Sequence, residues 1–408
     1  MRRAEDEISE HYDFVIIGSG AGGGPLAANL AEAGFRALLL EAGADHQCPY
    51  YEVPLMQARA SEDSEMRWDF FVRHYAADES QRHDSKFVET ENGVLYPRGA
   101  TLGGSTAISA LVTVYPHNSD WNKIAEVIAD NSWEADQMRR YLERIEHWQG
   151  PDANQATPAL EGDESRHGFA GWLKVRRADP NLAGREPYFL QIINAIEQTS
   201  RDLLKTSKES TLPNDPNDWR FVRDHREGMS FIPVAIDEGM QNGGRERILA
   251  AQNAHPDHLI IRLNALATRI LFDKDRAVGV EYMNGSHLYA ADPSSDRSKT
   301  TGEIQKVFAD REVILAGGAF NTPQILKLSG VGPRKELEAL GIPVVIDSPG
   351  VGENLQDRYE VTVVDQLISD YGLFEGATLN VPLPKVEGDP LFREWQRGRS
   401  GPYSTNGR

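Results

Sequence analysis

The residues of this chain best placed to bind a phosphorylated ligand lie in a glycine-rich turn near the N-terminus. Residues 18–23 read GSGAGG and directly follow residues 13–17, an apolar run typical of a buried strand. Gly18 allows the tight turn, Gly20 lets the backbone approach a pyrophosphate, and Gly23 lets helix and strand pack closely. The N–H groups and the dipole at the start of the next helix then face the phosphates. This pattern predicts a dinucleotide site.

An acidic residue at the end of the next strand completes the pattern. A helical segment ends at Gly34, and the apolar residues 37–40 lead to Glu41. A carboxylate at this place can accept hydrogen bonds from a ribose diol and repels a 2′-phosphate, which makes NADP an unfavourable ligand. The turn alone does not separate FAD from NAD, and a glycine-rich turn used only for packing is the alternative.

A second glycine-rich turn lies far along the chain from the first. Residues 96–106 read YPRGATLGGST and carry several hydroxyl groups, after which residues 107–115 become apolar. Two glycine turns so far apart in sequence suit a long ligand that runs between them. Composition alone is equally compatible with an ordinary surface loop.

Two further segments with recognisable patterns follow, one around residue 320 and one around residue 350. An apolar strand is predicted at residues 313–315, and a helix after it, with Thr322 as N-cap, Pro323 at the first helical position and Gly330 past the end. A third glycine-rich turn, PGVGENLQD, occupies residues 349–357. A helix cap and a loop without any ligand are the alternative explanation for these two segments.

Taken in order, these segments resemble those of the glucose–methanol–choline oxidoreductases, a family that includes choline dehydrogenase, glucose oxidase and related alcohol oxidases. Residues 318–332 resemble the second signature of that family, and residues 349–357 resemble the block that follows it. The resemblance runs from residue 13 to about residue 357. It implies an FAD-dependent enzyme that oxidises the CH–OH group of an alcohol, with hydride transfer to flavin N5.

The resemblance also implies which residues contact FAD. The residues expected at the pyrophosphate and ribose are Gly18, Gly20, Gly23 and Glu41. Those expected beside the flavin are Arg98, Gly103, Gly104 and Ser105. Ala267 belongs to a strand whose backbone is expected to meet the adenine, and Gly317 and Gly318 are expected near the ADP half.

Three positions depart from the family pattern. Some members attach FAD covalently through a histidine shortly after the double glycine, where this chain has Ile108. An apolar side chain cannot form that bond, so the sequence predicts dissociable FAD. Ser109 stands where the family signature has Asn or His, and Arg358 stands where the family often has His.

The catalytic residues are unknown from the sequence. The base of the family is a histidine near the C-terminus, yet no histidine follows His287 in this chain. His117 and His225 are most simply solvated or core residues. The chain ends in STNGR, which is typical of a turn between elements, so we expect that the C-terminal part is missing through gene fragmentation or deliberate shortening.

Such a loss would expose a sheet edge and apolar surface, which predicts poor solubility or weak FAD retention. A truncated, non-catalytic remnant with weak or no FAD binding is therefore an alternative function. A third possibility is an NAD-dependent dehydrogenase that uses the first glycine turn alone, although it leaves the segment near residue 320 unexplained.

The expected fold class is α/β, with a Rossmann-like FAD-binding domain, an inserted α+β substrate domain on an antiparallel sheet, and no C-terminal part of the family fold. The FAD domain is expected at residues 1–118 and 239–360, and the substrate or cap domain with its linker at residues 119–238. Residues 361–408 are expected to begin a second substrate-domain segment, with a strand at 361–368.

Composition limits the partners. The 408 residues carry 43 Lys and Arg against 62 Asp and Glu, and the net charge of −19 repels nucleic acid and anionic membranes. Cys48 is the only cysteine, so no internal disulfide or cysteine-based metal cluster is expected, and no metal site is predicted. A charged N-terminus and the absence of a long apolar run favour a cytoplasmic protein. The particular alcohol, the electron acceptor and the oligomeric state cannot be read from the sequence.

Overall fold

The structure of the protein is a computed structural model that describes residues 10–150, 165–177, 182, 184–205, 215–225, 230–296, 302–358, 364, 366, 372–379 and 389–406. The chain divides into two compact units. The first unit comprises residues 1–47, 59–108 and 243–363, and the second comprises residues 48–58, 109–242 and 364–408. The strand expected at 361–368 falls, apart from residues 364 and 366, outside the described residues.

The strands, in chain order, are β1 Glu10–Ile17, β2 Ala37–Leu40, β3 Arg67–Val72, β4 Phe87–Val88, β5 Gly93–Gly99, β6 Glu146–Trp148, β7 Leu173–Arg177, β8 Pro233–Asp237, β9 Met240–Gln241, β10 Leu259–Arg262, β11 Ala265–Asp273, β12 Arg276–Asn284, β13 Glu303–Leu315, β14 Val331–Gly332 and β15 Ile346–Asp347. The helices are α1 Gly23–Glu32, α2 Pro49–Glu52, α3 Gln57–Glu62, α4 Asp78–Arg82, α5 Asn118–Ile128, α6 Ala135–Ile145, α7 Pro187–Leu204, α8 Trp219–Arg223, α9 Gly244–Ala254, α10 Gly318–Leu328, α11 Arg334–Ala339 and α12 Pro390–Gly398.

The main sheet of the first unit has the strand order β10-β2-β1-β13-β12-β11. The first four strands run parallel, whereas β12 and β11 continue the sheet as an antiparallel pair. Val15 on β1 lies between Leu38 on β2 and Val313 on β13, and the apolar runs found in the sequence are therefore the buried centre of this sheet.

Helices cover both faces of the central strands. On one face, Ala27 and Ala28 of α1 pack with Ile248 of α9 against Ile16 and Leu39. On the other face, α10 packs against the sheet through Ile325. This arrangement is the predicted Rossmann-like α/β fold, with the carboxyl ends of β1, β2 and β13 directed to the glycine turns.

Helix α10 starts earlier than the sequence predicts. It begins at Gly318, so Thr322 is not its N-cap and Pro323 lies inside the helix rather than at its first position. Pro323 is the sixth residue of the helix, where its missing N–H costs one backbone hydrogen bond. Gly330 has φ +84° just past the helix end, as the sequence predicts.

A smaller antiparallel sheet of β3, β5 and β4 also belongs to the first unit. Trp68 on β3 pairs with Arg98 on β5, and Phe70 pairs with Tyr96. Because alternate residues of a strand share a face, Trp68 and Phe70 point to the same side of this sheet.

The second unit is built on a four-stranded sheet with the order β6-β7-β8-β9. Strands β7, β8 and β9 are antiparallel neighbours, as expected, while β6 pairs with β7 in parallel. Helices α5, α6 and α7 also belong to this unit. No helix in the described part of the chain is both long and apolar enough to cross a membrane.

The two units differ most from the predicted boundaries at two places. Residues 109–118 fall in the second unit, because Leu111 packs with Val234 and Ile236. Residues 48–58 also belong there, since Val53 packs in a core formed with residues of the C-terminal helix α12. Both assignments depend on contacts between segments remote in sequence, which local patterns do not reveal.

Candidate functional site

The first and second glycine turns lie directly against each other in the first unit. Gly104 has φ +55°, and a Cβ atom on it would lie 2.8 Å from the Cα atom of Gly20. Gly103, one residue earlier, also has a positive φ of +94°. Only glycine adopts such backbone without strain, and only glycine leaves room for this approach. The two turns can therefore contact one ligand, as the sequence predicts.

A cavity of about 440 Å³ opens where these turns meet the carboxyl ends of the sheet strands. Ligand sites in proteins commonly fall in the range of roughly 300–1,000 Å³. Nine of the predicted cofactor residues line it: Gly18, Gly20, Glu41, Arg98, Gly104, Ser105, Ala267, Gly317 and Gly318.

The two remaining predicted residues, Gly23 and Gly103, support the cavity without lining it. A Cβ atom on Gly23 would lie 2.0 Å from the carbonyl oxygen of Gly18, so Gly23 is needed for the close packing of α1 on β1. The N–H of Gly103 donates a hydrogen bond to Ser19 Oγ at 3.0 Å.

Helix α1 directs its N-terminus into the cavity. Its N-cap is Gly22, which provides no side-chain cap, and Ala21 and Gly22 line the cavity. Uncapped N–H groups at a helix start carry partial positive charge and bind phosphate oxygens. This end of the cavity is suited to a pyrophosphate.

Glu41 is fully buried and hydrogen-bonded within the protein. Its Oε2 accepts bonds from the N–H and the hydroxyl of Ser19, at 3.0 and 2.5 Å, and its Oε1 accepts a bond from the N–H of Gly43 at 2.9 Å. Burial raises the pKa of the Glu41 carboxyl, and these hydrogen bonds oppose the rise. Glu41 thus holds the first turn in place, in addition to its predicted contact with a ribose.

Aromatic residues form a part of the cavity wall that the sequence interpretation missed. Phe70 stacks on Phe320 with ring centroids 4.5 Å apart, and Trp68 meets Tyr289 edge-on at 5.2 Å. The Arg98 guanidinium lies 5.4 Å from the centroid of Phe320. The alternation of Trp68 and Phe70 on one strand could have indicated this wall, because both side chains point to the same face.

Tyr289 lines the cavity although the residues around it in the sequence are polar. Strand β13 begins at residue 303, shortly after this polar stretch. The Tyr289 hydroxyl lies 2.8 Å from the side-chain oxygens of both Asn321 and Gln324. Burial raises the pKa of this hydroxyl to about 12, so it remains a neutral hydrogen-bonding group.

The third glycine turn lies beside this cavity rather than in its wall. It lines a neighbouring cavity of about 640 Å³ that shares Phe320 and Gln324 with the first one. At the end of the turn, Asp357 accepts a hydrogen bond of 3.0 Å from the Tyr96 hydroxyl, which lies 2.8 Å from His74 Nε2. The turn is thereby linked to strand β5, which leads into the second glycine turn.

No histidine is found among the described residues that line the cavity. His117 and His225 both belong to the second unit, where His117 Nε2 lies 3.2 Å from His225 Nδ1. His117 also caps helix α5, because its ring nitrogen accepts a bond from the N–H of Ser119. Ile108, at the position of the covalent histidine, is buried.

Comparison with known proteins decides the family. The family model described as GMC oxidoreductase matches residues 12–360, which is most of the chain. The chain belongs to the GMC oxidoreductase family. This membership confirms the predicted family and fold class, and it identifies FAD, rather than NAD, as the cofactor of the fold.

Several GMC oxidoreductases resemble the chain over most of its length. An oxygen-dependent choline dehydrogenase of Photobacterium profundum is 28% identical over 400 residues, covering 97% of this chain and 59% of its own length. An alcohol dehydrogenase [acceptor] of Pseudomonas putida is 30% identical over 354 residues, covering 86% and 54%. A formate oxidase variant from Aspergillus oryzae RIB40 shares the fold, with a TM-score of 0.70, 23% identity, and coverage of 99% and 61%. The chain thus spans between about half and three-fifths of the length of these GMC proteins.

Proposed function

We propose that the chain binds FAD without a covalent bond and acts, by itself or as part of a longer protein, in the oxidation of the CH–OH group of an alcohol. The observation that carries this proposal is the direct contact of the two glycine turns beside a cavity lined by nine of the residues expected to bind FAD. When bound, FAD supplies the acceptor for the hydride of the alcohol carbon, at its N5 atom. The cytoplasmic location is a proposal that rests on sequence alone.

The cavity offers suitable groups for four parts of FAD. The start of α1 offers N–H groups to the pyrophosphate, and Glu41 offers a carboxylate beside the ribose. Main-chain groups around Ala267 at the start of β11 suit a purine edge. Arg98 and the stacked Phe70 and Phe320 provide cationic and aromatic surface for a flat conjugated ring.

The bound flavin is expected to be released by acid. Ile108 carries no nucleophilic atom at the position where some relatives attach the cofactor, so denaturation leaves nothing to retain FAD. Purified yellow protein is precipitated with trichloroacetic acid, and flavin absorbance is measured in the supernatant and in the pellet. We expect all flavin in the supernatant, with the mass of intact FAD. Flavin that stays in the pellet would contradict non-covalent binding.

Alcohol oxidation by this chain alone is expected to be slow and to respond to added imidazole. A general base commonly contributes about 10²–10⁴-fold to such a proton transfer, and the described lining of the cavity includes no histidine to provide one. The measurement is anaerobic bleaching of the flavin by choline and by simple primary alcohols, with and without imidazole. Neutral imidazole should accelerate bleaching, and the same total concentration at pH 5, where it is protonated, should not.

Dithionite provides the control for this experiment, because it reduces a competent flavin without a base. Bleaching by dithionite but by none of the alcohols, even with imidazole, would contradict oxidation of these alcohols by this chain alone. Rapid bleaching by an alcohol without imidazole would mean that the chain supplies its own base.

A further inference from the structure

We propose that Ser19 is a positioning residue that sets the separation of the first and second glycine turns and so controls the affinity for FAD. Ser19 is the variable residue between the first two glycines of the turn, and the glycine pattern assigns it no role. The inference rests on the proposed binding of FAD in this cavity.

The Ser19 hydroxyl joins three segments of the first unit. It donates a hydrogen bond of 2.5 Å to Glu41 Oε2 at the end of β2, and it accepts a bond of 3.0 Å from the N–H of Gly103 in the second turn. Its own N–H donates to the same Glu41 oxygen at 3.0 Å. Ser19 and Glu41 are both buried, so water does not compete for these bonds.

These bonds lie one residue away from the closest approach of the two turns. Gly20 and Gly104 are the two glycines in direct contact. Ser19 directly precedes Gly20, and Gly103 directly precedes Gly104. A shift of the Ser19 hydroxyl therefore changes the separation of Gly20 and Gly104 directly. Hydrogen bonds to a carboxylate are roughly twice as strong as neutral ones, so Glu41 fixes the hydroxyl in this place.

Other bonds hold the second turn to different parts of the unit. The N–H of Leu102 donates to the carbonyl of Ala44, and the Thr106 hydroxyl accepts a bond from the N–H of Gly244. These bonds attach the turn to the loop after β2 and to helix α9. The bond between Ser19 and Gly103 attaches it to the first turn, and this attachment is what a ligand spanning both turns requires.

The test compares Ser19→Ala with Ser329→Ala. Ser329 is a matched control, because its buried hydroxyl also donates to an oxygen acceptor, the carbonyl of Ile325, and accepts from a backbone N–H, that of Ile270, yet it does not line the cavity. Affinities of the flavin-free proteins for FAD are measured by flavin fluorescence, and affinities for ADP by calorimetry. Urea unfolding of both variants without ligand reports their stability.

We expect Ser19→Ala to weaken FAD binding by about tenfold to a hundredfold, the range that corresponds to the loss of a buried hydrogen bond to a charged group. ADP, which lacks the flavin half expected at the second turn, should lose less affinity than FAD. Ser329→Ala should change the affinity for FAD by less than about twofold. Ser19→Cys, which keeps the size of the side chain but bonds weakly, should fall between wild type and Ser19→Ala, and it replaces Ser19→Ala if that variant does not fold.

Each outcome bears on a different claim. Wild-type protein that binds no FAD overturns the proposed function and this inference with it. Wild-type protein that binds FAD while the Ser19 variants bind it equally well overturns only the inference. Equal losses for ADP and FAD also overturn it, because Ser19 would then act through Glu41 at the ribose and not through the separation of the turns.

Discussion

Gly104→Ala is expected to weaken FAD binding by about a hundredfold or more. The left-handed backbone of Gly104, with φ +55°, costs an L-residue roughly 1–2 kcal/mol. The new methyl group would also lie 2.8 Å from Gly20 Cα and 3.2 Å from Gly20 N. Those neighbours are backbone atoms and cannot turn aside as a flexible side chain can, so the two turns must move apart. Binding of FAD would then have to bring the relaxed turns back together, and regaining a strain of about 3 kcal/mol corresponds to roughly a hundredfold in affinity.

The measurement is the dissociation constant of FAD, by fluorescence titration of flavin-free protein, alongside urea unfolding without ligand. Gly350→Ala is the control, because Gly350 has an ordinary φ and a Cβ atom on it would meet nothing within 4 Å. That variant should match wild type in both measurements. An FAD affinity within about threefold of wild type for Gly104→Ala would show that the contact of the turns does not matter for the ligand.

Gly20→Ala should distinguish an effect on FAD affinity from an effect on the stability of the ligand-free protein. A Cβ atom on Gly20 would have only Gly104 Cα nearby, at 3.9 Å, which is ordinary van der Waals contact. The methyl group therefore fits the ligand-free protein but stands where the pyrophosphate is expected. This variant should unfold like wild type and still lose FAD affinity, whereas Gly104→Ala should lose both stability and affinity.

The sequence was sufficient to predict those parts of the site that depend on local backbone requirements. Gly18, Gly20 and Gly23 lie between a buried strand and a helix, which is the turn that their spacing predicts. Glu41 follows the next strand, as the same pattern requires. That these residues bind a dinucleotide stays a prediction.

The parts that escaped prediction depend on contacts between remote segments. Tyr289 reaches the cavity from a polar stretch whose composition suggests only a solvent-exposed loop. The bond between Ser19 and Gly103 joins residues that are more than eighty positions apart, and neither residue carries a signal of it. Pro323 predicted a helix that starts at residue 323, whereas α10 starts at Gly318. Local propensity is weaker than the packing of α10 on the sheet, which sets the observed start.

The second unit contains a buried cluster of charged side chains. Because of this cluster, the stability of the folded protein should depend strongly on pH. His167 lies between two carboxylates, with Nδ1 3.1 Å from Glu146 Oε2 and Nε2 3.5 Å from Asp215 Oδ2. Its ring stacks on Trp148, with centroids 4.3 Å apart. Burial lowers the pKa of His167, but the hydrogen bonds and charges of Asp215 and Glu146 outweigh burial and raise the pKa to about 9.

The sign of the effect follows from this raised pKa. An unfolded histidine titrates near pH 6.5, so the charged ring contributes its full stabilisation below about pH 6.5 and loses it as the pH rises through about 9. A difference of this size corresponds to about 3 kcal/mol of unfolding free energy. His167→Gln removes the titrating group and leaves Glu146 and Asp215 without the charged ring between them, so it should destabilise the protein more at pH 6 than at pH 10.

Urea unfolding of wild type and His167→Gln at pH 6 and at pH 10 tests this prediction, with tryptophan fluorescence as the signal because Trp148 contacts the ring. The substitution should lower the free energy of unfolding by about 3 kcal/mol more at pH 6 than at pH 10. His83→Gln, at an exposed position of the first unit, is the control and should cause a small change at both values. If His167→Gln costs the same free energy at both pH values, the ring is neutral in the folded protein and the two carboxylates do not hold a charge on it.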